Sequence, residues 1–206
     1  MSRLPIVLAL LTLPLPLWAA ECPVAADLAS KGIAFGAETG EVEEFRQRRP
    51  GLIESRYYLS EDRSSYSQVV LGQGLYVLEL LEVDGGNPAP DTRSTYGFPV
   101  APATLPVPDA TTPAGSGWTW TVAYNHSGDL GHETHVYTVQ PSQQIAYGAC
   151  RYQVIPVEVR YLPSDGPAED IDTLHYLPAL GLSYLYRTTY SGGGDTYEYK
   201  SIRTLE

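Results

Sequence analysis

Histidine and carboxylate side chains offer the first chemistry to consider. His132-Glu133-Thr134-His135 sets two imidazoles three residues apart with a carboxylate between them. A helical zinc site needs its histidines four apart, on one face of a helix. An odd spacing on a strand sends the two rings to opposite faces. His126 could add a third ligand across a hairpin, but the plainer reading is a solvated hairpin without metal. Asp165, Glu169, Asp170 and Asp172 cluster around Gly166 and Pro167. Calcium favours oxygen-rich loops, yet this spacing does not fit the twelve-residue calcium loop. The cluster reads as a solvated loop between strands, and no cofactor is expected.

Covalent catalysis finds little support. The chain has no Gly-x-Ser-x-Gly elbow. Gly192-Gly193-Gly194 lacks the Lys and helix of a phosphate loop. No carboxylate pair stands out among 24 acidic residues as glycosidase machinery. Cys22 and Cys150 are the chain's two cysteines, and in an exported protein they most simply pair with each other. In the chain-entropy model a bridge over so long a loop contributes about 4 to 5 kcal/mol. Lipidation of Cys22 is the alternative, but lipoprotein signals carry a small residue before the modified cysteine, and here it is Glu21. Asn125-His126-Ser127 matches a glycosylation acceptor and is expected to stay unmodified.

The 206 residues carry 24 acids against 13 bases, a formal charge of −11. Nucleic-acid affinity rests on Lys and Arg neutralising phosphates, so this balance excludes nucleic acid as a partner. Arg3 followed by the apolar run Leu4–Trp18 and Ala19-Ala20 has the pattern of a secretory signal peptide over residues 1–20. The run is too short for a membrane span, and Pro5, Pro14 and Pro16 disfavour a lasting helix. No later segment is long and apolar enough to be transmembrane. The expected location is periplasmic or secreted.

The elements that must position any site are mostly strands. Pro23 to Gly32 is bounded by proline and glycine and predicts a short helix. Segments 51–59, 66–71 and 75–83 are rich in β-branched, aromatic and leucine residues between Gly and Ser punctuation, and predict strands. Seven prolines within 88–113 predict a surface connection without regular structure. Trp118, Trp120, Val122 and Tyr124 alternate with Thr119, Thr121 and Ala123, the pattern of a half-buried strand. Asn125 to Gly131 then predicts a turn, and Thr134 to Val139 the return. Between Arg151 and Tyr161 the apolar phase changes, which predicts a β-bulge at Ile155-Pro156. Leu182 to Tyr190, a turn at Ser191–Asp195 and a return through Tyr197 and Tyr199 read as a closing hairpin.

The second half also carries a resemblance. Trp118-x-Trp120, the Gln144 to Gly148 stretch and His175-Tyr176-Leu177-Pro178-Ala179-Leu180-Gly181-Leu182 resemble secreted bacterial β-proteins of the TapB-like kind, a domain of unknown function. The likeness covers about residues 105–205, and His175 stands where Trp is commoner. It implies a curved antiparallel sheet, distantly like periplasmic lipoprotein carriers, and brings no catalytic residue. Gly181, before the last hairpin, is expected to supply a backbone angle that other residues avoid.

The expected protein is mainly β. Residues 21–206 form a single β-rich domain: one curved, mostly antiparallel sheet, half-barrel or clam-like, of about 8 to 10 strands with one short N-terminal helix. Sixteen tyrosines suit sheet faces and lipid- or sugar-lined grooves. Trp118, Trp120, Tyr124, Tyr184, Tyr186, Tyr197 and Tyr199 are the candidate ligand-face aromatics. The expected function is non-enzymatic binding of a hydrophobic or extended ligand, or of an envelope partner protein. The alternatives are a hydrolase of envelope polymers using carboxylate or His chemistry, and a structural envelope protein without ligand.

Overall fold

The computed structural model describes residues 21–164 and 170–206. The expected signal peptide at 1–20 and the acidic positions Asp165 and Glu169 lie outside the described residues. After the helix α1 (Ala25–Ser30) come fifteen strands. The first half holds β1 (Ile33–Ala37), β2 (Val42–Arg49), β3 (Leu52–Tyr58), β4 (Tyr66–Gly72), β5 (Tyr76–Asp84), β6 (Asn87–Pro88) and β7 (Ser94–Gly97). The second holds β8 (Gly117–His126), β9 (Asp129–Val139), β10 (Gln143–Tyr147), β11 (Cys150–Pro163), β12 (Asp170–Leu177), β13 (Leu182–Tyr190), β14 (Gly193–Thr196) and β15 (Tyr199–Thr204).

All strands join one antiparallel sheet that curls without closing into a barrel. Its order is β14-β13-β12-β11-β9-β8-β7-β5-β4-β3-β2-β1-β15, with β10 on β11 and β6 on β5. The count exceeds the 8 to 10 expected, in part because β6, β7 and β14, of 2, 4 and 4 residues, are too short to show a period of two. β7 also corrects the expectation that 88–113 lacks strands. Residues 94–97 hold no proline, so their N–H groups can bridge β5 and β8. Elsewhere that segment forms two short 3-10 turns opened by Pro90 and Pro102.

The predicted bulge at Ile155-Pro156 is absent from the β11–β12 ladder, which runs in register from Ile155↔Tyr176 to Arg160↔Ile171. The apolar phase changes because β11 meets core on both faces. Tyr152 and Val154 pack in a cluster around Phe35, whereas Val157 and Val159 pack in a second cluster around Tyr76 and Tyr137. Pro156 is tolerated because its carbonyl accepts from Gln140 N–H (2.8 Å), so its missing N–H faces the gap where β9 gives way to β10. The irregularity lies further along the sheet, in the β12–β13 pairing, where Tyr186 is the extra residue.

The closing hairpin is also different. Tyr190 pairs with Gly193, so the turn is only Ser191-Gly192, and β14 ends after pairing Thr196 with Arg187. Tyr197 N–H still donates to Tyr186 O (2.7 Å), but β15 leaves to pair with β1 at the other end of the sheet. The chain's last strand thus ties the two sheet ends together. Phe35 of β1 sits between them, 5.4 Å from the ring centroids of Tyr147 and Tyr184 and 5.5 Å from Tyr199. The Cys22–Cys150 disulfide, with Cα atoms 5.5 Å apart, and the Tyr152 hydroxyl bonded to Pro23 O (2.7 Å) pin the N-terminal segment onto the same core.

Two glycines hold the turns that close one end of the molecule. Ser183 donates through N–H (2.6 Å) and Oγ (2.8 Å) to Gly74 O. Gly74 has φ +67°, and a Cβ there would stand 2.1 Å from Gly181 O. Gly181 itself has φ +70°, the left-handed angle expected for it, but open space around it. Chemical denaturation should therefore separate them. Gly181→Ala is expected to lose about 1 to 2 kcal/mol, the left-handed backbone cost alone. Gly74→Ala is expected to lose distinctly more, because backbone must also move. Equal losses would mean that the two turns do not hold each other.

Candidate functional site

The curled sheet encloses a cavity of about 510 Å³. Cross-strand register explains its polarity, because residues opposite one another share a face. On β11–β13 the innermost row is apolar: Val157 faces Leu174, which faces Leu185. The next row runs Tyr137, Val159, Asp172 and Thr188. One step further His135 faces Tyr161, and beyond them Glu133 faces Pro163. The opposite wall is apolar, built by Val69 and Leu71 of β4, Val77 and Leu80 of β5, and Leu75. Glu43 of β2 and Ser55 of β3 complete that wall. The cavity therefore grades from an apolar end to an acidic one.

Its polar groups are largely bonded to each other. His135, buried on the inward face of β9, contacts Glu133 Oε1 through Nε2 (2.6 Å). The edge of the Tyr161 ring lies against it at 4.8 Å. Tyr161 donates its hydroxyl to Asp172 Oδ2 (3.0 Å). Desolvation raises the Asp172 carboxyl above the usual aspartate range. Glu43 is more strongly affected. Burial pushes its carboxyl up to about 7, although the Ser55 and Tyr199 hydroxyls both donate to it, the latter at 2.7 Å.

The structure places the expected site residues unevenly. Of the seven candidate aromatics, Tyr184 lines the cavity. Tyr199 reaches its edge through Glu43. Trp118 stacks on Tyr137 (5.7 Å, 13°), and Trp120, paired with His135, packs in the same core cluster; both share the inward face of those residues without lining the cavity. Tyr186 stacks on His175 at 4.0 Å, Tyr197 packs edge-on against Tyr57, and Tyr124 stacks on His126 at 4.5 Å. These are packing contacts.

The histidine reading needs correction. His132 is exposed, but His135 is 2% exposed and not part of a solvated hairpin. Its phase follows Tyr137 and Val139, which also face the core. His126 bonds Ser94 Oγ (2.8 Å) instead of meeting the other histidines. Among the described residues no three His, Cys, Asp or Glu side chains gather closely enough to hold a metal. Asp170 and Asp172 stand in β12 and line the cavity, not a loop. Glu43, Tyr96 and Tyr161 were not singled out from the sequence. Alternation would have put Glu43 in phase with Phe45, and that buried phase is the signal for an inward acid.

His175 lies outside the cavity, buried between Tyr186 and Tyr184, and bonds Tyr184 Oη through Nδ1 (2.9 Å). Desolvation lowers its pKa to about 4, so it is neutral at pH 7.

Glu43 makes the fold pH-sensitive. Its native pKa of about 7 exceeds an unfolded value near 4.5, so between these pH values the native state binds more protons. Its contribution is present below pH 4.5 and is lost as pH rises through 7. His175 acts with the opposite sign between about 4 and 6.5, so the test is a difference. Glu43→Gln is expected to exceed the wild type in stability at pH 8 by roughly 1 to 3 kcal/mol. Thermal melts should show the gap shrinking as pH falls towards 4.5. A gap independent of pH would refute the desolvation of Glu43.

No protein-family model, curated protein or solved structure matches this chain. The geometry of the cavity therefore carries the functional reading.

Proposed function

We propose that this is an exported, non-enzymatic binding protein that holds a hydrophobic or extended ligand inside its curved sheet. The observation that carries this is the cavity. At about 510 Å³ it falls in the size range of small-molecule sites, and its walls are mainly apolar with a few convergent polar groups. The Cys22–Cys150 disulfide suits an oxidising compartment, which agrees with the leader-like residues 1–20. No helix among the described residues is long and apolar enough to cross a membrane. The resemblance of residues 105–205 to TapB-like β-proteins points the same way, towards an exported curved sheet. Among the described residues the most exposed large apolar side chains, Leu59 after β3 and Leu130 at the start of β9, lie far apart in the sheet order, which gives a purely structural role little support.

One observation favours hydrolysis of an envelope polymer as a second reading. Glu133, His135 and Asp172 line the same cavity, which offers an acid and a base within one space. Against it, His135 is engaged by Glu133, Ser55 by Glu43 and Ser183 by Gly74, so neither cavity serine bonds to His135.

Binding is tested with an apolar fluorescent probe such as N-phenyl-1-naphthylamine. Saturable binding at one site per chain is expected. Leu80→Trp, which fills the cavity, should weaken it at least tenfold while Tm stays within a few degrees. Val69→Phe provides a second filling variant. Unchanged affinity in both would overturn the cavity reading. Turnover of cell-wall fragments by the wild type, lost in Glu133→Gln, would favour the hydrolase instead.

A further inference from the structure

We infer that the cavity selects an amphipathic ligand whose head is a cation, an alkylammonium or guanidinium group on an apolar chain. This rests on the binding reading above and specifies which ligand class the same site takes. Among the described residues four that bear carboxyls line the cavity, Glu43, Glu133, Asp170 and Asp172, and no Lys or Arg does so. The one basic side chain there, His135, is already paired with Glu133. Nearby arginines point elsewhere: Arg160 of β11 bonds Glu158, Arg93 before β7 bonds Glu79, and Arg187 of β13 is exposed and outside the cavity lining. Among the described lining residues there is no Lys or Arg to compensate an anionic head.

The charges are also placed asymmetrically. Leu174 and Leu185 share a row at the apolar end, Asp172 follows along β12, and Tyr161 of β11 and Glu133 of β9 lie in the rows beyond. A chain inserted towards Leu174 would bring its head level with Asp172 and Asp170. Tyr137 adds an acceptor there. It is 3% exposed, lines the cavity, and its hydroxyl makes only a long 3.4 Å contact with His135 Nδ1. Burying a cation costs free energy unless acceptors replace its water, and two carboxylates with phenol oxygens beside them do so. A carboxylate or phosphate head would meet like charge in a partly desolvated space, where repulsion is stronger than in water.

Calorimetric titration at pH 8 and low salt, with dodecylammonium, dodecanol and dodecanoate each below micelle formation, tests this. Dodecylammonium is expected to bind at least tenfold tighter than dodecanoate, with dodecanol between them. In the Asp170→Asn/Asp172→Asn variant that ratio should fall to about threefold or less while dodecanol affinity stays within twofold. Tyr161 keeps an amide oxygen to donate to, so the variant should fold, which a melt checks. Leu80→Trp should abolish the saturable binding of dodecylammonium, which separates the cavity from attraction to the acidic outer surface. Equal binding of all three probes would overturn the cation inference and leave the cavity reading standing. No binding of any probe would overturn both. A preference that survives in either variant would place its origin outside these aspartates and overturn the assignment.

Discussion

The structure depends on closing a long curled sheet around one aromatic side chain. Phe35 lies on β1, next to the end strand β15, yet its ring touches Tyr184 of β13 and Tyr147 of β10. Phe45 from β2 and Tyr199 from β15 complete its surroundings. Each such pair contributes about 0.5 to 1.5 kcal/mol beyond the burial of its area. More important, the contacts join strands from opposite ends of the sheet order. A thirteen-strand path left open would expose two edges and an unfilled inner face. The cluster brings those ends together without a ladder between them.

Hydroxyl groups give that closure direction. Tyr147 and Tyr184 share a hydrogen bond at 2.8 Å, and Tyr184 also meets the neutral His175. Tyr199 turns its hydroxyl the other way, to Glu43 in the cavity wall. A purely apolar cluster would tolerate sliding, whereas a buried hydrogen bond left unmade is costly. This is also why the chain uses tyrosine so freely. An aromatic body fills the core and the polar tip finds a partner at its margin. The same cluster that closes the sheet thereby holds one wall of the cavity.

The outer face of β2–β5 shows the opposite solution. Glu44 and Glu54 are paired with Arg63, Arg48 and Arg56, and Arg56 and Arg63 lie 5.1 Å over the rings of Tyr66 and Tyr58. There each acid has an arginine. Inside, the acids have hydroxyls and one histidine. The contrast between a compensated outer face and an uncompensated inner one makes the cavity chemically distinctive.

Much of this fold was legible in the residue pattern, because alternation is a local property. The strands β3, β4, β5, β8 and β11, the helix behind Pro23 and the special angle at Gly181 all follow from side-chain period and turn chemistry. The cysteine pairing followed from there being only two of them. Alternation tells which residues share a face. It does not tell which faces will meet. The phase change in β11 resembled a bulge because a strand covered on both sides was not distinguishable from a kinked one. Tyr199 resembled a hairpin partner of β13 because its true partner, β1, lies more than 160 residues away in sequence. The cavity acids were hidden for the same reason: Glu43 and Asp172 come from distant strands. Local sequence thus determined the mainly β character, the disulfide and most strand phases. Only tertiary structure decided the curl, the closure on Phe35 and the acidic cavity, because those depend on which distant faces pack together.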